Sequence, residues 1–346
     1  IDRLHPARLR LRVIDLFDET PSARTLRLAP RDGYLPPFQA GQYLALFLEI
    51  GNVRTSRPYS LSSPPNQIGH FDITVRRVPG GLVSNHLLDR VRVGDEIESS
   101  GPAGQFYHHP LFHDRDLVFL AGGSGITPFM SLIRETVERG LDRTIHLFYG
   151  NKTLEETIFH QALSTLAARH PNVHYHPVLE DPPAGWDGLT GLLTGTLIQK
   201  VLGGVVGRTF YLCGPQAMYD FCVPELQGLG VPGRKIRKEV YGPPAEVTRS
   251  PGWPPHIKAA DVFTVRVNGR GGFQAKAGET LLATLEKNGL ALPSLCRSGE
   301  CSQCRVKVVK GKVFQPAGAL VRRSDRRYGY VHSCVSYPLE DLEIIT

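Results

Sequence analysis

Short stretches that read as strands, with turn residues between them, fill residues 36–107, and no long helical period appears among them. Such a pattern predicts an all-β class and most naturally a barrel. From residue 116 the pattern changes. DLVFLAGG is a continuous apolar run into a Gly-rich turn, PFMSLIRETVERG reads as a helix and TIHLFYG as a further strand. A strand–helix–strand order implies a parallel sheet. RTFYLCGPQAMYDF, residues 208–221, repeats strand, turn and helix. After residue 261 FTVRVNGRGGFQA alternates and turns at Asn-Gly like a hairpin, and GETLLATLEKNG is a short amphipathic helix ending at Asn288-Gly289. RVKVVKGKV and the final DLEII supply more strands. Five prolines within residues 243–255 read as a stiff linker. These shifts divide the chain into 1–112, 113–242, 243–260 and 261–346.

Composition adds exclusions. With 346 residues, 41% hydrophobic and 21% charged, the chain holds two or three soluble domains. The N-terminus has no signal-peptide pattern, and the apolar run LVFLAGGSGITPFMSLI contains Gly, Ser, Thr and Pro, so no membrane span is expected. Because the first residue is Ile1, a trimmed chain or a piece of a longer polypeptide is expected. The charge of +7 is dispersed, without a helix of stacked Lys and Arg, so nucleic acid is not the expected partner. An acidic protein partner suits it better. Six cysteines in a chain this long do not make a secreted disulfide scaffold; their clustering points to metal in a cytoplasmic protein.

Cys296, Cys301 and Cys304 fall within nine positions, and Cys334 follows at a distance. Read as CxxxxCxxC…C, the spacing matches plant-type [2Fe–2S] proteins. Gly299 allows unusual φ angles for a loop wound tightly around a small core, and Ser298 and Ser302 keep its wall thin. A zinc site and unrelated free thiols are the alternatives; zinc ribbons pair CxxC with CxxC, and only one CxxC is present. Residues 261–346 as a whole resemble the α+β β-grasp ferredoxin domain. That resemblance implies the four cysteines as metal ligands, with Gln303 where many relatives carry a smaller residue.

Upstream, TSRPYSLSSPP offers Arg57 as a fork for phosphate, Tyr59 as a flat face for an aromatic ring and Ser60 as a small donor. In VRRVPGGLVSNHLL, Gly80 and Gly81 permit close backbone approach and Ser84 opens a helix whose N-terminus could hold a phosphate. GGSGITP places Gly123 and Gly125 in GxG spacing, with Pro128 in place of a third Gly and well placed as the first helical residue. Cys213 stands at the carboxyl end of its strand, where open α/β sheets bind ligands; Cys222 reads as a buried small hydrophobe. The histidines of HHPLFH (His108, His109, His113) read as solvated or capping groups rather than metal ligands.

Taken in order, these segments resemble the flavin-binding barrel and nicotinamide-binding domain of the ferredoxin–NADP reductase superfamily. The resemblance implies Tyr59 on the isoalloxazine, Ser60 near its N5, and Arg57 in the flavin site. It implies Gly81 and Ser84 on the pyrophosphate of FAD, which favours FAD over FMN, and Phe106 or Tyr107 near the adenine. It also implies Gly123, Gly125, Thr127, Gly214 and Pro215 in the nucleotide site, with Thr127 and Cys213 where nicotinamide meets flavin. Glu239 and Tyr241 fall where relatives carry an acidic residue and an aromatic near the flavin; a surface charge is the other reading of Glu239.

With the C-terminal ferredoxin block, the domain order is similar to that of phthalate dioxygenase reductase and of reductases serving phenylacetyl-CoA and ketosteroid oxygenases. The implied activity is hydride transfer from NADH to FAD, shaped by Ser60, Thr127, Cys213 and Glu239, then single electrons through the [2Fe–2S] cluster to a partner protein, an oxygenase. NADH is expected over NADPH because only Lys152, and no Arg cluster, follows TIHLFYG. The last block holds 13 Lys and Arg against 8 Asp and Glu, and Arg322, Arg323, Arg326 and Arg327 gather before Cys334. They form either a docking patch for an acidic redox partner or a solvated face. A low-potential activator of an anaerobic metalloenzyme such as a corrinoid protein, a module of a fused enzyme, and an electron carrier or redox sensor remain open at this point.

Overall fold

A computed structural model of the chain describes residues 8–346. The alternating first third forms β1 (Leu9–Thr20), β2 (Ala23–Pro30), β3 (Tyr43–Ile50), β4 (Val53–Ser60), β5 (Phe71–Arg76) and β6 (Glu96–Ser99), in sheet order β4-β3-β6-β1-β2-β5. Leu9, Leu11 and Val13 point inward while Arg10 and Arg12 face water, the period-two signature of a half-buried strand. An isolated bridge from Leu61, just past β4, to Ile73 in β5 draws the two edges together as a barrel requires. Buried polar pairs fix the register of β2 on β5: the Thr25 and Thr74 hydroxyls lie 2.8 Å apart, and Arg27 forks onto Asp72 at 2.9 and 3.0 Å.

One helix interrupts this segment, α1 (Leu82–Asp89). Its N-cap is Gly81, so Ser84 does not open the helix as expected but sits in its first turn. There the Ser84 hydroxyl accepts the Val78 N–H at 3.1 Å and braces the Pro79-Gly80-Gly81 turn.

Apolar runs and helices then alternate: β7 (Asp116–Gly122), α2 (Thr127–Glu138), β8 (Thr144–Asn151), α3 (His160–Arg169), β9 (Val173–Leu179), β10 (Leu189–Thr190), α4 (Gly195–Leu202), β11 (Arg208–Cys213), α5 (Gln216–Gly228) and β12 (Ile236–Glu239). The sheet is parallel, in order β10-β9-β8-β7-β11-β12. β7 is buried on both faces, which explains why its sequence shows no alternation. A 3₁₀ turn over Gly123–Ile126 precedes α2, so Thr127 rather than Pro128 is the first α-helical residue. His108 is buried with Nε2 3.0 Å from the Asp114 carbonyl, and His113 bonds the Tyr211 hydroxyl. These two pin the loop to the sheet instead of lying in solvent; burial and then nearby Arg237 push His113 down to about 4.

The last block holds β13 (Val262–Val267), β14 (Gly271–Lys276), α6 (Leu281–Lys287), β15 (Arg305–Lys310), β16 (Val313–Phe314), α7 (Arg323–Arg327), β17 (Tyr330–His332), β18 (Tyr337–Pro338) and β19 (Leu342–Ile345). Five strands form a mixed sheet in order β14-β13-β19-β15-β17, and β16 pairs with β18. Leu281 and Leu285 of α6 pack onto Val265, Val306 and Ile344, and Thr280 caps the helix by accepting the Ala283 N–H. The proline-rich segment is no bare spacer. Val247, Trp253 and Ile257 form a small core with Ala277, Phe314 and Tyr337, and Trp253 donates its indole N–H to the Ile257 carbonyl at 2.8 Å.

By contacts the chain divides into two compact units. One joins the residues up to Leu44 with Tyr59–Val240; the other joins Ala45–Pro58 with Tyr241–Thr346.

Candidate nucleotide, flavin and cluster sites

In the parallel sheet the chain builds outward from β7 through β8, β9 and β10, then returns to place β11 on the other side of β7. That reversal opens a crevice at the carboxyl ends of β7 and β11, the place where open α/β sheets bind ligands. The two Gly-containing motifs meet there. A Cβ on Gly125 would lie 2.0 Å from the Cys213 carbonyl oxygen and 2.8 Å from the Gly214 nitrogen, so the loops touch backbone to backbone. Thr127 is buried with its hydroxyl on the Ser124 carbonyl. Cys213 pairs in register with Glu239 on β12, which puts both side chains on one face at the crevice. The Tyr219 hydroxyl holds this corner, accepting the Gly214 N–H at 3.0 Å and donating to the Glu239 carbonyl. Cys222 lies in the core beneath, its thiol pushed up to about 12 by burial, which makes it inert.

Three residues that the sequence reading passed over also reach this end. The Tyr149 hydroxyl donates to the Gly123 carbonyl at 2.8 Å. Arg76, at the end of β5, places its fork 2.8 Å from where a Gly123 Cβ would stand, and pairs with Glu156 at 3.2 Å. Asn151 ends β8 buried, with neither its amide nitrogen nor its oxygen bonded within the protein. All three fall at strand ends, the one signal by which sequence could have found them.

Along β4 the flavin-motif residues differ in setting. Arg57 is partly buried, its guanidinium donating to the Thr55 hydroxyl and the Ser56 carbonyl, both at 2.7 Å. Tyr59 is partly exposed and Ser60 is buried at the strand's end. Gly81 caps α1, a helix N-terminus that fits a phosphate. Phe106 departs from expectation. It is only 2% exposed and packs edge-on against Phe129 and Tyr211, with ring centroids 5.7 and 5.4 Å away, so its face cannot take an adenine. Tyr107 is the open aromatic of that pair, lining a cleft of about 610 Å³ with His109, Phe112 and Arg237.

The four clustered cysteines come together as the spacing predicts. Hydrogen bonds among the thiols join Cys296 to both Cys301 and Cys334, and Cys334 to Cys304. Bonds from Cys301 and then Cys334 hold the Cys296 thiol far below the ordinary range; its sulfur also accepts N–H bonds from Ser298 at 3.4 Å and Cys301 at 3.3 Å. Cys304 is drawn down to about 7, first by Cys334. The loop winds through left-handed backbone at Arg297, Gly299 and Ser302, and a Cβ on Gly299 would lie 2.8 Å from a Val335 methyl. Four thiols brought together in this way fit a cluster that spreads its ligands over two irons.

The neighbouring basic patch lies on α7. Arg322, Arg323, Arg326 and Arg327 are exposed, as are Leu320, Tyr328 and Tyr330, while Asp325 turns inward to Arg305 at 3.1 Å. No helix among the described residues is long and apolar enough to cross a membrane.

Comparison with known proteins agrees with this geometry. Residues 22–108 match the oxidoreductase FAD-binding domain, 119–223 the oxidoreductase NAD-binding domain and 265–339 the 2Fe-2S iron-sulfur cluster binding domain. The glycine betaine monooxygenase reductase subunit of Pseudomonas aeruginosa is 30% identical over 345 residues, covering 96% of this chain and 94% of that protein. The NADH oxidoreductase HCR of Escherichia coli is 30% identical over 336 residues, covering 96% of each. Phthalate dioxygenase reductase, described as a modular structure for electron transfer from pyridine nucleotides to [2Fe–2S], superposes with a TM-score of 0.71 at 27% identity over 98% of this chain and 97% of that one. The chain therefore belongs to the ferredoxin–NADP reductase-like flavoprotein oxidoreductases whose FAD-binding and NAD-binding domains are followed by a C-terminal [2Fe–2S] domain.

Proposed function

We propose that this protein is the reductase component of an oxygenase system, taking hydride from NADH and passing single electrons to an oxygenase. The observation that carries the reading is the convergence of four thiols in a chain that also brings Cys213, Glu239 and the Gly125 turn to one crevice. When bound, FAD and the [2Fe–2S] cluster convert a two-electron donor into single-electron steps; the chain's own task is to position and tune them.

In this reading Arg57 holds flavin phosphate, Tyr59 packs on the ring system, and Ser60 donates a hydrogen bond beside it. Gly81 and the amides of the α1 terminus take the pyrophosphate. Ser84 acts indirectly, by bracing that turn. Gly123, Gly125, Gly214 and Pro215 shape the nucleotide crevice, in which Thr127, Cys213 and Glu239 exclude water and orient the nicotinamide. Asn151 supplies an uncommitted amide at the same strand ends. NADH is favoured because only exposed Lys152, and no cluster of Arg in the sequence, follows β8 to form a 2′-phosphate site. Cys296, Cys301, Cys304 and Cys334 hold the cluster. The domains are taken as 1–112, 113–242 and 261–346 with a connector at 243–260, working in the cytoplasm.

An anaerobic visible-spectrum titration tests this. NADH at stoichiometric amounts is expected to bleach the flavin and iron–sulfur bands in turn, and NADPH to do so far less well. Bands that neither nucleotide bleaches would leave only a carrier or sensor.

The oxygenase follows from the relatives' partners, and the α7 arginines, flanked by exposed aromatics, suit its acidic face. Charge reversal at Arg322, Arg323, Arg326 and Arg327 is expected to slow association roughly 10-fold or more at low salt and to remove the salt dependence. An unchanged rate to the true partner at low salt refutes the docking role.

A further inference from the structure

The residue after the first cluster cysteine is held unusually firmly. Arg297 is only 7% exposed and adopts left-handed backbone at φ 55°, a strained conformation for a side chain of its size. Its guanidinium forks onto Glu286 of α6 at 2.7 and 2.8 Å. The same Nη1 also reaches the β4 strand, donating to the Thr55 hydroxyl at 3.3 Å and the Ser56 carbonyl at 3.1 Å.

Three more bonds complete the join. The Thr55 hydroxyl donates to Glu286 at 3.1 Å; the Ser56 hydroxyl donates to the Ser294 carbonyl at 2.7 Å and lies 2.8 Å from the Ser294 hydroxyl. Arg57 bonds the same Thr55 hydroxyl and Ser56 carbonyl that Arg297 uses. Thr55, Ser56, Ser294, Glu286 and Arg297 are all buried.

A buried ion pair is a poor way to add stability, because desolvation offsets most of the attraction and apolar side chains would pack at less cost. What a bidentate pair with shared hydrogen bonds supplies is geometry. We propose that Arg297 and Glu286, latched to Thr55 and Ser56, are positioning residues that fix the Cys296 loop against the strand bearing Arg57, and so set the flavin-to-cluster electron step. This rests on the flavin and cluster assignments above.

The test uses Ser56→Ala, which removes the Ser56–Ser294 bonds and leaves the ion pair and its bonds to Thr55 and the Ser56 carbonyl in place, beside Arg297→Lys, which keeps charge and loses the fork, and Ser56→Thr, which keeps the hydroxyl. Each holoprotein is assayed for flavin and iron content, for the electron paramagnetic resonance spectrum of the reduced cluster, and by two-wavelength stopped flow after mixing with NADH. Ser56→Ala is expected to keep full cofactor content and the wild-type rate of flavin bleaching, while cluster bleaching slows about 10-fold through lost alignment. Ser56→Thr is expected to restore it, and Arg297→Lys to slow the same step and broaden the cluster signal. Should Arg297→Lys fail to assemble its cluster, Thr55→Val, which removes the hydroxyl shared by Arg297 and Glu286, takes its place. Cluster bleaching at the wild-type rate in both Ser56→Ala and the variant that breaks the latch overturns the proposal. A wild-type protein that NADH does not bleach at all instead overturns the functional reading beneath it.

Discussion

Replacing Cys334 by Ser is expected to strip the protein of its iron–sulfur bands and of electron delivery to any acceptor served by the cluster, while NADH still bleaches the flavin. Cys334 is the one proposed ligand that lies far along the chain from the other three. It sits in a short 3₁₀ turn after β17 and its thiol bonds both Cys296 and Cys304. The turn is itself clamped to the loop: Ser333 donates its backbone N–H to the Cys304 carbonyl at 3.0 Å and its hydroxyl to the same oxygen at 2.8 Å, and the His332 ring lies 2.7 Å from the Gly299 carbonyl. These bonds hold the turn in place in the variant, so the chain still folds when ligation is lost. Ligand binding contributes free energy to the fold, so iron content should fall by about 10-fold or more and the C-terminal unit should melt earlier. Iron and sulfide assays with circular dichroism measure both. Full iron content in the variant would remove Cys334 from the ligand set.

The second large effect is expected at Gly125. No side chain fits there: even a methyl group would stand 2.0 Å from the Cys213 carbonyl oxygen and 2.4 Å from its carbon, both backbone atoms in a buried strand end. Gly125→Ala must push the β7 turn and the β11 turn apart. Overpacking of this kind costs about 1–3 kcal/mol, and the displaced atoms are the ones proposed to meet the nucleotide. NADH affinity should fall by about 10-fold or more, on the scale of geometric misplacement, while the flavin, whose proposed site lies on β4 and α1, stays bound. Gly204→Ala is the matched control, since a Cβ there meets nothing within 4 Å. If Gly125→Ala melts and binds NADH like Gly204→Ala, the interlock of the two turns has no part in nucleotide binding.

Residue pattern alone reveals much of this molecule, and for identifiable reasons. Alternation marks the antiparallel sheet, continuous apolar runs mark strands buried on both faces, and cysteine spacing survives folding because one loop supplies three of the four thiols. Phe106 is misread because an aromatic in a Gly-rich turn looks the same in sequence whether it faces ligand or core. Ser84 is misplaced because Gly81 can cap a helix without a side chain. Arg76 and Arg297 go unseen for a further reason: the partners that give them meaning lie on other elements, Arg297's on β4 and α6, far away in the chain.

The core of Trp253, Val247 and Ile257 also bears on how such a protein can be recombined. A module exchanged at residue 260 would leave behind an indole with nothing to pack on and would carry Phe314 and Tyr337 away bare. A seam upstream of the prolines keeps this packing whole, so the tether is inherited with its cargo. What the new host must then supply is a strand like Ala45–Pro58, with hydroxyls where Thr55 and Ser56 stand.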